Sequence, residues 1–168
     1  MKSFMSKKHR LEEKQARCMF KPIADAIRYV HSQNVALTNI KLDNILIDRL
    51  RTPKIIDFGL ASISKWDRID VSNLSPEYMP PELFYNQECE GTSIDVWALG
   101  VILYYMLCGC YPFQGNTESD AEIINDLMLP DYLSPKAKNI LKRMLDGDPE
   151  NRYTTKQILE DPWIKSNE

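Results

Sequence analysis

The sequence predicts a mainly α-helical fold with one small β-hairpin. Apolar residues recur at helical spacing over residues 11–32, and the uncharged stretch 96–108 has the length of a buried core helix. Two short β-branched runs, residues 45–47 and 54–56, flank a turn and favour a hairpin. The length of 168 residues suits one domain, and the 43% hydrophobic and 27% charged contents are those of a globular protein.

The first predicted helix follows a polar start. Residues 1–10 are predicted to be a loose N-terminal tail, followed by a single domain over residues 11–168. One face of the helix over residues 11–32 carries Ala16, Phe20, Ile23, Ile27 and Val30. Pro22 lies inside this run and predicts a kink, or a helix start just before it, because proline has no backbone N–H to donate.

A long connection follows the hairpin. Residues 61–81 lack a stable periodicity and predict an ordered loop, and a loop this long in a compact domain is usually functional. Ser93 is the predicted cap of the buried helix over residues 94–108. A further short helix is expected over residues 119–129.

Two capping patterns mark the last helices. Ser134 followed by Pro135 has the N-cap and first-position proline that open a helix, which we expect to reach residue 146. Thr154 and Gln157 have the spacing of a capping box ahead of a final helix.

Charge and cysteine content exclude several classes of protein. The formal net charge is −3, which disfavours nucleic-acid binding. The N-terminus lacks an apolar leader, and residues 96–108 are too short to span a bilayer, so no membrane association is expected. The four cysteines match neither a zinc motif nor a disulfide framework, which indicates free thiols and an intracellular protein, in the cytoplasm or the nucleus.

Three residues near the hairpin have the chemistry of phosphoryl transfer. Asp57 can hold Mg²⁺ against phosphate oxygens, because hard cations prefer oxygen ligands, and the side-chain carbonyl of Asn44 can supply a second contact. Lys41 can neutralise charge on the moving phosphoryl group. These candidates stand beside a structural alternative, in which Asp57 and Asn44 only hold the loops together.

The chain resembles the eukaryotic protein kinases, most closely the serine/threonine kinases of the calcium/calmodulin-kinase-like group. The catalytic loop H-R-D-L-K-x-x-N of that family corresponds to L-T-N-I-K-L-D-N at residues 37–44, and its metal motif D-F-G is intact at residues 57–59. P-P-E at residues 80–82 is similar to the A-P-E motif. Several such motifs in the right order make the resemblance strong, and they all belong to the C-terminal lobe of the kinase fold.

The resemblance implies roles for further residues. Ser75 lies in the segment that seats the substrate residue. Asp95 corresponds to a structural anchor on the buried helix of the lobe. Arg152 is expected to form a buried ion pair with Glu82.

The departures from the family pattern concern catalysis. Asn39 replaces the catalytic Asp, and an amide has no carboxylate to accept a proton from a substrate hydroxyl. Thr38 replaces the Arg that grips a phosphorylated loop, and Leu37, expected to pack against Phe58, replaces the His. The first glycine is Gly59, so the glycine-rich loop of the small N-terminal lobe is absent from the chain, and half of the ATP site is missing.

The sequence therefore predicts a truncated serine/threonine-kinase-like protein that is catalytically inactive, a pseudokinase, and that acts by binding another protein. Mg-ATP binding is a weaker expectation, and the sequence gives no oligomeric state. An active serine/threonine kinase completed by a missing N-terminal lobe is the first alternative, and a gene remnant without function is the second.

Overall fold

The structure, a computed structural model, describes residues 1–59, 61–63, 74–84, 90–113 and 127–166. The helices within these residues are α1 (Lys2–Lys8), α2 (Glu13–Ser32), α3 (Pro81–Phe84), α4 (Gly91–Cys108), α5 (Pro135–Met144), α6 (Thr155–Glu160) and α7 (Pro162–Lys165). The strands are β1 (Val35–Ala36), β2 (Ile45–Ile47), β3 (Pro53–Ile55) and β4 (Ser62–Ile63). The mainly helical fold class is confirmed.

Helix α4 forms the centre of the core. Its side chains are buried on nearly all sides, and Trp97 and Leu99 are fully enclosed. By length and composition this helix could cross a membrane, but 78% of it is buried inside the fold, as in the core helix that the sequence predicts. The predicted cap is wrong, because α4 begins two residues before Ser93, whose hydroxyl donates to the Glu90 carbonyl at 2.8 Å.

Helix α2 packs against α4 and α6, and it is continuous through Pro22. The predicted helix start just before Pro22 is therefore wrong. Proline in a helix interior costs about 3 kcal/mol. The neighbouring Phe20 and Ile23 are buried in the core, and full burial of such side chains contributes about 1.5–3 kcal/mol each, which offsets that cost.

The predicted hairpin is confirmed. Strands β2 and β3 pair antiparallel, with Ile45 opposite Ile55, and Asp48 closes the turn by accepting the N–H groups of Leu50 and Thr52 at 2.9 and 2.8 Å. The sequence did not predict a second pair, β1 with β4, which joins Val35 to Ile63. Strands of two residues carry no periodicity from which pairing could be predicted.

The first ten residues differ from the predicted loose tail. They contain helix α1, and the side chains of Met1 and Met5 are buried in the main core. The Met1 amino group donates to the Ile45 carbonyl, and Lys2 pairs with Asp43 at 3.2 Å. Met1 and Met5 lie one helical turn apart among mostly polar residues. Their burial attaches this segment to the fold.

Both predicted capping patterns of the last helices are present. The Ser134 hydroxyl accepts the Ala137 N–H at 3.1 Å at the start of α5, although this helix ends at Met144, two residues earlier than expected. Thr154 and Gln157 form a reciprocal capping box at the start of α6. The predicted helix at 119–129 and most of the predicted loop at 61–81 fall on residues outside the described ones.

Candidate functional site

Residues 37–44 are the segment that resembles a kinase catalytic loop, and we call them the catalytic-loop segment. A carboxylate from the core helix holds the main chain of this segment. Asp95 of α4 is fully buried and accepts the N–H groups of Leu37 at 2.8 Å and Thr38 at 2.7 Å. Thr38 has a φ of 58°, in the left-handed region that is strained for a β-branched residue. The two hydrogen bonds that Asp95 accepts therefore hold Thr38 in a conformation that it would not adopt by itself.

His31 completes this support, and the sequence analysis missed it. Its Nε2 lies 2.9 Å from Asp95, and its Nδ1 lies 3.3 Å from the Thr155 hydroxyl. The histidine thereby connects α2, α4 and α6 behind the catalytic-loop segment. Its position at the end of the predicted helix was visible in the sequence, but its partners are 64 and 124 residues away.

Asn39, Asn44 and Asp57 lie together in front of this segment. The Asn44 amide donates to Asp57 Oδ2 at 3.0 Å and to the Asn39 carbonyl at 3.2 Å. The Asn39 amide is directed at the same Asp57 oxygen at 3.4 Å. The other oxygen, Oδ1, accepts the Gly59 N–H at 2.9 Å, so Asp57 is surrounded by donors. Asn39 and Asn44, both named from the sequence, thus donate to the carboxylate of Asp57.

The donor set of this cluster fits Mg²⁺ only in part. Asp57 offers carboxylate oxygens, and the side-chain carbonyl of Asn44 is the second oxygen ligand that the sequence analysis named. Among the described residues, no group of three or more His, Cys, Asp or Glu could hold a metal ion. Mg²⁺ usually binds through one or two carboxylates together with substrate phosphates, so this site would hold the ion only alongside a nucleotide.

Lys41 and Ser75 approach each other beside the cluster. Lys41 Nζ donates to the Ser75 hydroxyl at 3.3 Å. Ser75 precedes a short 3₁₀ turn, Pro76–Tyr78, and the Tyr78 hydroxyl accepts the Leu42 N–H at 3.1 Å. Burial raises the pKa of Tyr78, which keeps its phenol neutral. The segment with the predicted substrate-seating Ser75 is thus joined to the catalytic-loop segment at two places.

Glu82 and Arg152 form a buried ion pair. The two guanidinium nitrogens donate to the two carboxylate oxygens at 2.7 and 2.9 Å, and both side chains are almost completely enclosed. Arg152 also donates to the carbonyls of Asp146 and Ser93, and it lies 4.9 Å from the ring centre of Trp97. With its donors occupied in this way, Arg152 connects α3 to the start of α4 and to the loop after α5.

Two apolar side chains of the hairpin are exposed beside Lys54, which pairs with Leu46. Leu46 and Ile56, which we call the exposed hairpin face, are 51% and 53% exposed, and the Ile56 N–H extends the strand pairing to the Asn44 carbonyl at 3.1 Å. Phe58 is 53% exposed, whereas Leu37 is buried. The expected packing of Leu37 against Phe58 therefore does not bury the Phe58 ring.

Comparison with known proteins identifies the class to which this fold and site belong. The family profile described as "Protein kinase domain" matches residues 1–164, and the chain belongs to the protein kinase family. The match includes the segment before Leu11, in agreement with the packing of α1. The resemblance recognised in the sequence motifs is confirmed.

Individual relatives are serine/threonine kinases or protein kinases by name. The chain is 38% identical over 160 residues to the probable serine/threonine-protein kinase MARK-A of Dictyostelium discoideum, covering 93% of this chain and 15% of that protein. It is 36% identical to CBL-interacting protein kinase 31 of Oryza sativa, covering 93% and 36% of the two chains. It is 38% identical to the carbon catabolite-derepressing protein kinase of Candida tropicalis, covering 98% and 27%. The chain therefore spans well under half the length of these relatives.

Proposed function

We propose that this chain is a pseudokinase, a kinase-family protein that does not transfer phosphate by itself and acts by binding another protein inside the cell. The observation that carries the proposal is the environment of Asn39. Its amide nitrogen is directed at Asp57 from 3.4 Å, at the motif position where active kinases have a carboxylate base. The side-chain amide of asparagine has no carboxylate and is too weak a base to remove a proton from a substrate hydroxyl.

The expected loss of rate is large. General base catalysis contributes roughly 10²–10⁴-fold, so Asn39 alone reduces phosphotransfer by about that factor. The 168-residue chain also has no glycine before Gly59, and so carries no glycine-rich loop to cover the phosphates of ATP. Both features of these 168 residues act against phosphotransfer by the chain alone.

We assign Asn44 and Asp57 mainly to loop structure and only weakly to Mg-ATP. Their hydrogen bonds already satisfy the Asp57 carboxylate without a cation. A thermal-shift titration with Mg-ATP separates the two roles. A structural Asp57 gives a lower melting temperature in Asp57→Ala and no rise with ligand in the unaltered chain. A nucleotide site gives a rise with Mg-ATP that Asp57→Ala abolishes.

Phosphotransfer from Mg-ATP to a generic serine/threonine substrate tests the proposal. We expect the chain to give no more product than Asp57→Ala. Asn39→Asp is the matched variant, because it restores the carboxylate without changing the size of the side chain. We expect no activity from Asn39→Asp, because the 168 residues carry no glycine-rich loop to cover the phosphates of ATP. Activity of the unaltered chain that Asp57→Ala removes would overturn the proposal.

A second candidate function rests on the exposed hairpin face. Leu46 and Ile56 form an apolar surface next to the Asp57 cluster, and apolar surface of this kind marks a contact site. An N-terminal lobe supplied by a longer product or a second chain would cover it and complete an active serine/threonine kinase. Glycine-rich coding sequence in frame upstream of Met1 favours this function, and a stop codon there favours the pseudokinase.

A further inference from the structure

A groove of about 340 Å³ lies where α1, the start of α2 and the β2–β3 turn meet. Its apolar lining comes from Phe4 of α1, Leu11, Met19 of α2 and Leu50 of the turn. This position is separate from the Asn39 and Asp57 cluster, none of whose residues line it. The volume is near the lower end of the range of about 300–1,000 Å³ seen for ligand pockets, so it suits a few side chains rather than a domain.

Leu50 is the most accessible apolar side chain of the groove. It is 87% exposed, yet its main chain is fixed, because its N–H donates to Asp48 and the Arg51 N–H donates to the Asp48 carbonyl at 3.0 Å. A leucine held out on an ordered turn can contact a partner without a further loss of main-chain freedom. Leu11 and Met19 are buried beneath it, and they give the groove an apolar floor.

The charged side chains that line the groove are all basic. Lys8, Lys14 and Arg51 line it, and no acidic side chain does. None of these three cations forms an ion pair with a described residue. Asp48 of the turn accepts main-chain N–H groups, and Asp43 pairs with Lys2, which does not line the groove. A basic rim on a chain of net charge −3 is a local feature, which favours an acidic ligand.

We propose that this groove docks an acidic peptide segment of a partner protein, whose large apolar side chains enter between Leu50 and Met19 and whose carboxylates face Lys8, Lys14 and Arg51. The proposal rests on the protein-binding function proposed above and specifies its surface and the chemistry of its partner. Charge complementarity sets the orientation and speeds the encounter, and the apolar floor supplies the affinity.

A random displayed peptide library, selected on the purified chain, provides the probe. We expect the enriched peptides to be net negative and to carry leucine, phenylalanine or other large apolar residues. Their binding is then measured by fluorescence anisotropy. Enrichment of peptides that are not acidic, or no enrichment at all, would overturn the proposal.

Substitutions locate the binding. We expect Leu50→Ser to weaken binding of an enriched peptide by at least about tenfold, because it removes the apolar contact that the peptide buries on binding. Lys14→Glu is expected to weaken it roughly threefold to tenfold, with a loss that shrinks at high salt. Lys142→Glu on α5 is the matched control, because Lys142 is exposed and does not line the groove, and it should leave binding unchanged. Circular dichroism and thermal unfolding check that each variant remains folded.

A chemical footprint gives an independent readout. Cys18 is exposed and lines the groove, whereas Cys110 is exposed elsewhere. Saturating peptide should slow alkylation of Cys18 and leave Cys110 unaffected. Equal alkylation of Cys18 with and without peptide would contradict the proposed site.

The outcomes also separate this proposal from the pseudokinase proposal. If Leu46→Ser abolishes peptide binding and Leu50→Ser does not affect it, the groove is not the docking site. Protein binding would then occur through the exposed hairpin face. Binding to phosphatidylserine vesicles through Lys14 and Leu50, without selection of acidic peptides, would replace the peptide with a lipid surface. Phosphotransfer activity would overturn the pseudokinase proposal, but it would not change the result of the peptide-binding measurement.

Discussion

At the residue scale, Asp95 stabilises main-chain conformation rather than performing chemistry. It lies fully buried between α4 and the catalytic-loop segment, where it accepts two N–H groups and contacts His31. The Asp95 carboxylate and the two main-chain N–H groups depend on each other, because all are buried. Without the other, each would lack a hydrogen-bond partner. Asp95 is therefore a structural residue of this fold.

Removing the Asp95 carboxylate should destabilise the whole fold. We expect Asp95→Ala to lower the free energy of unfolding by about 2–5 kcal/mol, because two buried N–H groups lose their acceptor. Urea denaturation followed by circular dichroism measures this. Asp131→Ala is the control, since the Asp131 side chain is fully exposed, and it should leave the denaturation midpoint unchanged. Equal midpoints for the two variants would contradict the role of Asp95.

The ion pair of Glu82 and Arg152 makes a second prediction at this scale. Removing one partner leaves a buried charge uncompensated, so Arg152→Met is expected to cost about 3–5 kcal/mol of unfolding free energy. Adding Glu82→Met to it should cost less than the sum of the two single changes, because the uncompensated charge is then gone. Thermal or urea unfolding of the four proteins gives the coupling. Strict additivity would count against a direct pair, and Arg143→Met, at an exposed position of α5, serves as the control.

The residues that the sequence predicted at this scale are those that lie in family motifs. Asn39, Asn44 and Asp57 were predicted together because the family pattern fixes their order, and they do lie together. His31 and Tyr78 were missed. Each acts through partners far away in the chain, and neither a histidine at a helix end nor a tyrosine in a loop carries a local signal of its contacts.

At the element scale, one side chain joins three helices. Glu13 at the start of α2 accepts the N–H and hydroxyl of Ser134 at the cap of α5, at 2.7 and 2.8 Å. It also accepts the indole N–H of Trp163 in α7 at 2.8 Å. Burial by itself would raise the pKa of this carboxyl, but these hydrogen bonds and the nearby Arg17 lower it below the ordinary value of 4.5.

The Glu13 contacts should make stability depend on pH in acid. Because its pKa is lower in the folded state, its contribution is complete above the ordinary value of 4.5 and is lost as the pH falls through the folded-state value. We expect Glu13→Gln to flatten the acid side of a plot of unfolding free energy against pH. Glu12→Gln, at the exposed neighbouring position, should keep the wild-type slope. Identical slopes for all three proteins would contradict the assignment.

Elements with local signals were predicted, and elements that depend on distant partners were not. The caps at Ser134 and Thr154 involve residues three positions apart, so the sequence contains the whole interaction. Helix α1 is stabilised by burying Met5 against distant parts of the chain. The pairing of β1 with β4 likewise joins segments 28 residues apart, at Val35 and Ile63.

At the scale of the whole molecule, the core and the surface have separate roles. The core around α4 contains the buried polar residues Asp95, Glu82 and Arg152, whose hydrogen bonds connect its elements. The surface near Asp57 carries Asn39, whose amide is directed at that carboxylate, and the exposed hairpin face. This division supports a protein whose fold is maintained for binding rather than for phosphotransfer.

The most direct test is transfer of radiolabelled phosphate from Mg-ATP to a generic serine/threonine substrate by the purified chain. Asp57→Ala and Asn39→Asp are assayed in parallel, after circular dichroism has confirmed that each protein is folded. We predict that the chain gives no signal above Asp57→Ala and that Asn39→Asp gives none either. Phosphorylation by the unaltered chain that disappears in Asp57→Ala would contradict the pseudokinase account.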